Sequence, residues 1–236
     1  SLLAYHNLFT LKKQKSMTIE GYKKDTFKFI IKYSIPITIS TVSIYLLSSI
    51  DIFYIKYFYG DKFVAYYSVA VKIISIINVS INAISLSVAS GLAYNYTNKN
   101  FDVLKKITRK SSRLIFFFSL TVSCIIYIFS KKILDVFGNE YIISNTTLII
   151  LLIGNLIMSI AGNTYMYLLM TNKGIVLGKL LILAVVINLI SNYFVIPIYG
   201  IEGAAFTSVI SIILWNFLGA YFIYKKDKIN ILFKLK

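Results

Sequence analysis

Val64–Leu92 reads VAYYSVAVKIISIINVSINAISLSVASGL. The stretch is apolar and exceeds the roughly 20 residues a helix needs to cross a bilayer. One face is nevertheless polar. Ser68, Lys72, Ser75, Asn78, Asn82 and Ser85 follow one another at intervals of four, three, three, four and three. Such intervals put side chains on one side of a helix. Working back along the chain, the apolar run before it carries a matching stripe of Ser34, Thr38, Thr41, Tyr45, Ser48 and Asp51. Polar and ionisable groups inside a membrane face a bundle interior or a wet cavity. The two stripes therefore predict a cavity lined by the first two spans.

Asp51 and Lys72 are the charges on these faces. Each lies at a similar depth, roughly 10–12 Å from the outer end at helical rise. The short Gly60-Asp61 turn between the spans makes them antiparallel neighbours, so the expected arrangement is an interhelical Asp51–Lys72 pair. An unpaired charge there costs about 2.5–3.5 kcal/mol on insertion scales. The competing reading of Lys72 is a side chain that snorkels to the outer surface.

Composition supports a membrane chain. The 236 residues are 58% hydrophobic with a mean hydropathy of +0.75, above the roughly 45–50% apolar content of soluble domains. The net charge of +16 would suggest nucleic acid in a soluble protein. Here the lysines sit between apolar runs, so no nucleic-acid partner is expected. The single Cys124 and single His6 provide no disulfide framework and no metal cluster. No cofactor, metal or catalytic residue is expected.

The remaining chain reads as an all-α integral membrane bundle of six spans: Phe29–Phe58, Val64–Leu92, Leu114–Ser130, Ser144–Met170, Gly174–Ile196 and Gly203–Tyr224. The third, with no charge, is expected to face lipid. Pro36 predicts a kink in the first. Residues 1–28 read as the end of a preceding helix followed by a basic interfacial segment, and the chain is expected to be a piece of a longer protein. Residues 225–236 read as a basic, surface-lying tail. With the N-terminus inside, inner segments hold 19 basic residues and outer loops hold only Lys62, Lys131 and Lys132. That bias predicts both termini in the cytoplasm.

The last two spans carry the most specific string. Asn188 and Asn192 lie one turn apart, Pro197 ends a helix, Gly200 permits a tight turn, and Gly203-Ala204-Ala205 allows close helix approach. The asparagines read first as glue between helices. This string resembles the C-terminal half of the polysaccharide-biosynthesis flippases, the O-antigen and capsule exporters of the MATE-like MOP superfamily. Ser34-Ile35-Pro36 with Asp51, the run Ala65–Ile73, and Phe137-Gly138-Asn139-Glu140-Tyr141 resemble the family in the same order. The resemblance spans roughly Lys23 to Tyr224.

It implies one lobe of a two-lobe transporter, the N-terminal lobe being absent from this chain. It further implies translocation of an undecaprenyl-diphosphate-linked oligosaccharide across the bacterial cytoplasmic membrane by alternating access. Its partners would then be the lipid-linked glycan, membrane lipids and polysaccharide assembly enzymes. The residue reading agrees, since a diphosphate needs a cation such as Lys72 and sugar hydroxyls need Ser, Thr and Asn. The alternative is a cation-coupled small-molecule or multidrug antiporter of the same superfamily, for which Asp51 is the only acidic residue inside a span. A membrane polymerase or acyltransferase ranks lower, because the loop acids are scattered and lack histidine.

Overall fold

The computed structural model describes residues 19–233 and contains no strand among them. The elements are α1 (Ile19–Tyr59), α2 (Asp61–Thr97), α3 (Phe101–Asp135), a 3-10 helix (Asn139–Ser144), α4 (Asn145–Ile160), α5 (Thr164–Met170) and α6 (Gly174–Asp227). Five of the helical stretches are long and apolar enough to cross a membrane. Residues 1–18, which hold the expected helix remnant, His6 and much of the interfacial segment, lie outside the described residues. Within them, 19–28 continues directly into α1 rather than forming a separate helix.

Glycines set the reversals. Gly60 joins α1 to α2 with φ +81°, a left-handed value open to glycine at low cost. The two helices run antiparallel, and an exposed Lys56–Asp61 ion pair of 3.0 Å brackets the turn. Gly138, φ +130°, opens the 3-10 helix, whose Ser144 hydroxyl donates to the Tyr66 carbonyl of α2 at 2.9 Å.

Some helix boundaries differ from expectation, α3 beginning at Phe101 rather than Leu114. The anticipated single span Ser144–Met170 is broken at Ala161–Asn163, where Gly162 adopts φ +63°. A Cβ at Gly162 would lie 2.2 Å from Ser112 Oγ and 2.8 Å from the Ile231 carbonyl, so only glycine lets the chains meet there. The anticipated fifth and sixth spans are both present, as two helices of the 54-residue α6 that meet at a kink at Gly200. A straight helix of that length would be about 80 Å long, far beyond a bilayer core of about 30 Å. Gly200, with φ 57° and ψ −136°, folds it into a hairpin instead. Asn192 meets Thr207, Asn188 meets Ser208, and Gly219 lies by Leu180, so the arms 174–199 and 201–227 are antiparallel. α6 is thus two spans joined at Gly200.

α1 lies parallel to the first arm. A Cβ on Gly174 would sit 3.5 Å from Pro36 Cβ, Asp51 reaches Asn188 and Asn192, and the Tyr59 hydroxyl donates to the Pro197 carbonyl at 3.0 Å. α1 stays helical through Pro36, and the Pro36 carbonyl accepts from Ser40 Oγ at 2.8 Å.

α3 is exposed on Phe117, Ile125 and Ile128 but buries Ser112, Ser119, Ser123 and Ser130. Small inward side chains allow close packing of helices in lipid. The tail also departs from a surface-lying segment. Ile229 and Ile231 are buried, the Phe233 N–H donates to the Ile160 carbonyl at 2.9 Å, and the Phe233 ring stacks on Phe116 with centroids 4.0 Å apart. The last lysine-bearing residues, 234–236, lie outside the described residues.

Candidate functional site

The buried face of α1 is formed by Ser40, Ser43, Leu47, Asp51 and Ile55. With Ser40 as reference and about 100° per residue, Leu47 and Asp51 fall within about 20° of it. Thr41, Tyr45 and Ser48 fall about 80–140° away on the same scale, and all three are exposed. The sequence stripe therefore contains two faces. Its last two steps are both of three residues, each turning the position back by about 60°. Asp51 thereby leaves the exposed stripe and enters the core.

Asp51 is 2% exposed and sits in a cage of neutral donors. Oδ2 accepts from the Tyr67 hydroxyl at 2.6 Å and from Ser208 Oγ. Oδ1 accepts from Asn192 Nδ2 at 2.7 Å and from Asn188 Nδ2 at 3.3 Å. A second layer fixes the donors: Asn192 Nδ2 also reaches Asn188 Oδ1 at 3.2 Å, and Thr207 Oγ1 donates to Asn192 Oδ1. The groups come from α1, α2 and both arms of α6. Four hydrogen bonds converging on one side chain tie the hairpin to the first two helices.

The expected Asp51–Lys72 pair is not formed. Lys72 is exposed and belongs to neither of the ion pairs found among the described residues. The physical reason is rotational. On α2 the core residues Tyr66, Ala70, Ile73, Ile74 and Ile77 define the buried face. Lys72 lies about 160° from Ala70 on the opposite side. It is Tyr67, on the buried side, that meets Asp51.

The other anticipated residues divide in the same way. Ser75 is exposed and its hydroxyl returns to the Lys72 carbonyl at 2.6 Å; Asn82 is exposed and Ser68 half-buried. Thr41 and Ser48 donate to carbonyls one turn back in α1, those of Ile37 at 3.0 Å and Tyr45 at 2.9 Å. Asn78 is half-buried, and its Oδ1 accepts from Asn155 Nδ2 at 2.9 Å, while Asn155 Oδ1 accepts from Ser119 Oγ at 3.2 Å. This chain couples α2, α4 and α3. In the hairpin, Ala204 and Ala205 are fully buried, and a Cβ on Gly203 would lie 3.0 Å from the Val195 carbonyl.

Sequence reasoning missed Tyr67 and Ser208 in the cage. It also missed a second buried cluster at the basic end of the lobe. Lys173 Nζ lies 2.7 Å from Asp227 Oδ2, with both side chains under 10% exposed. The same Nζ donates to Tyr96 Oη at 3.1 Å and Thr171 Oγ1 at 3.2 Å, and sits 4.2 Å from the Tyr96 ring centroid. The Tyr167 hydroxyl donates to Asp227 Oδ2 at 2.8 Å. The cluster pins the ends of α2, α5 and α6 together. Only Asp227's position amid Lys225, Lys226 and Lys228 could have flagged it.

Comparisons with known proteins agree with this architecture. The MatE family model matches residues 36–194. Among solved structures, the crystal structure of a MATE point mutant aligns at 18% identity with a TM-score of 0.74, over 87% of this chain and 46% of its own. A multidrug resistance MATE family transporter of the MOP superfamily, in an outward-facing conformation, aligns at 16% identity and TM-score 0.74 over 87% and 47%. A MOP superfamily transporter from Pyrococcus furiosus, described by a reverse polarity of its binding pocket that suggests a different function, aligns at 17% identity and TM-score 0.60 over 87% and 46%. The chain thus spans about half the length of these structures. No curated protein matches it.

Proposed function

The chain belongs to the MatE family of multi-pass membrane proteins, and from that premise we propose that it forms one lobe of an exporter of lipid-linked oligosaccharide. In this reading an undecaprenyl-diphosphate-linked glycan is moved from the inner to the outer leaflet of the bacterial cytoplasmic membrane by alternating access. Both termini are cytoplasmic. A second lobe completes the cavity, and glycan assembly enzymes supply the substrate.

The observation that carries the proposal is the separation of Asp51 from Lys72. The acid is enclosed by neutral groups, while the lysine stands exposed on a face with Ser75 and Asn82. Thr41, Tyr45 and Ser48 expose a similar polar strip on α1. An exposed lysine beside amide side chains on a membrane lobe is better accommodated by a wet cavity than by lipid. An unpartnered cation there suits a diphosphate headgroup, with hydroxyl and amide side chains for sugars. Pocket polarity is also what is described for the Pyrococcus furiosus MOP transporter.

Replacing Lys72 tests this. Lys72→Ala in the full-length protein should abolish glycan export while insertion and abundance stay near normal; Lys72→Arg should keep part of the activity. Full export by Lys72→Ala would return the lysine to a snorkelling role. Orientation is tested separately: an introduced cysteine at Glu140 should be labelled from outside and one at Lys105 should not.

The cation-coupled antiporter has an observation of its own. A buried carboxylate with no cationic partner is a place where a proton or metal cation can neutralise charge. Efflux of a cationic dye from proteoliposomes, driven by a proton or sodium gradient and lost in Asp51→Asn, would favour that reading over glycan export. Neighbouring glycosyltransferase genes would favour the exporter.

A further inference from the structure

At the basic end of the lobe a cleft of about 550 Å³ opens between α3, the second arm of α6 and the tail. Lys105 and Arg109 of α3 and Lys228 of the tail line it, and no carboxylate does. None of the three belongs to an ion pair among the described residues. The opposite wall is aromatic: Phe217, Tyr221 and Tyr224 follow at helical spacing, with both tyrosines more than half exposed. Those rings lie on a membrane-spanning arm, so the cleft joins a lipid-facing surface to a cluster of cations.

The tail gives the cleft its third wall. Lys228 takes a left-handed conformation, φ +57°, which ends α6 and turns the chain back over α3. Ile229 and Ile231 then anchor in the core, and Asn230 Oδ1 accepts the Leu232 N–H at 3.0 Å. The cationic side of the cleft is therefore fixed by packing rather than by the cations themselves.

We propose that this cleft binds the phosphate headgroup of one anionic phospholipid of the leaflet that borders it. Lys105, Arg109 and Lys228 would meet the phosphate, while the acyl chains lie along Phe217 and Tyr221. Basic pockets between spanning helices select anionic headgroups, and tyrosines favour the headgroup level. A soluble phosphate would leave the aromatic wall unused, which is why the lipid is the occupant chosen. The proposal does not depend on what the exporter carries.

The test is native mass spectrometry of the purified full chain in nonionic detergent, titrated with phosphatidylglycerol, phosphatidylcholine or inorganic phosphate. One phosphatidylglycerol per chain should be retained about tenfold or more tightly than phosphatidylcholine. Lys105→Gln, Arg109→Gln and Lys228→Gln together should erase that preference. Lys225→Gln with Lys226→Gln removes charge from the same helix end but outside the cleft, and should change it less than about twofold. Circular dichroism checks folding. If the triple variant loses helix content, Arg109→Gln alone should still weaken retention about threefold. Equal loss in both sets, no preference for phosphatidylglycerol, or displacement of the lipid by millimolar phosphate would overturn the proposal.

Discussion

Asp51 and Asp227 are both buried carboxylates, yet they are satisfied in opposite ways. Asp227 lies at the basic end and is closed by a lysine at 2.7 Å plus a tyrosine. Asp51 lies beside the hairpin and is closed by hydroxyls and amides, with no cation. The first arrangement is a fixed lock, because removing either charge strands the other. The second leaves a carboxyl group met only by neutral donors. One fold thus keeps an ion pair at its end and a carboxyl group caged by neutral groups in its core.

Breaking the lock should have the largest effect. Lys173→Ala should destabilise the lobe by about 3–5 kcal/mol, because Asp227 remains buried and uncompensated. Thermal unfolding in detergent reads this directly. Replacing both partners, Lys173→Met with Asp227→Leu, should recover most of the loss. A double variant as unstable as the single one would mean that tyrosine contacts, not charge, hold the end together.

The cage should respond less, and in a graded way. Asp51→Ala orphans several donors and should cost about 2–3 kcal/mol, since each unsatisfied buried polar group costs about 1–3 kcal/mol and the asparagines can partly pair with each other. Asp51→Asn keeps the shape and should stay within about 1 kcal/mol of the parent. A large loss in Asp51→Asn would make Asp51 a lock like Asp227. The smallest effect is expected at Lys72: Lys72→Ala should shift stability by no more than about 0.5 kcal/mol, as for other exposed positions.

The same contrast explains what could be read from the chain. Apolar length, the glycine turns and the Asn188–Gly203 string were legible because each is a local property. The partner of Asp51 was not. Stripe counting tolerates steps of three and four without tracking the rotation they accumulate, so it groups Asp51 with Tyr45 and Ser48 although Asp51 turns into the core. Tyr67 sits beside Tyr66 in an apolar run, and nothing local says which ring meets an acid. Ser208 lies 157 positions from Asp51 and joins it only because Gly200 folds α6 back. Asp227 was masked by its lysine neighbours. The break at Gly162 was missed because its cause, the approach of Ser112 and Ile231, is tertiary.

The central claim is that Asp51 is held by neutral donors while Lys72 stands apart from it. A double-mutant cycle of Asp51→Asn and Lys72→Ala, read by unfolding of the purified protein, tests it most directly. The structure predicts a coupling below about 0.5 kcal/mol, as for residues that share no partner. The parallel cycle with Tyr67→Phe should give about 1 kcal/mol or more. A coupling above about 1 kcal/mol between Asp51 and Lys72 would contradict the claim and restore the ion pair.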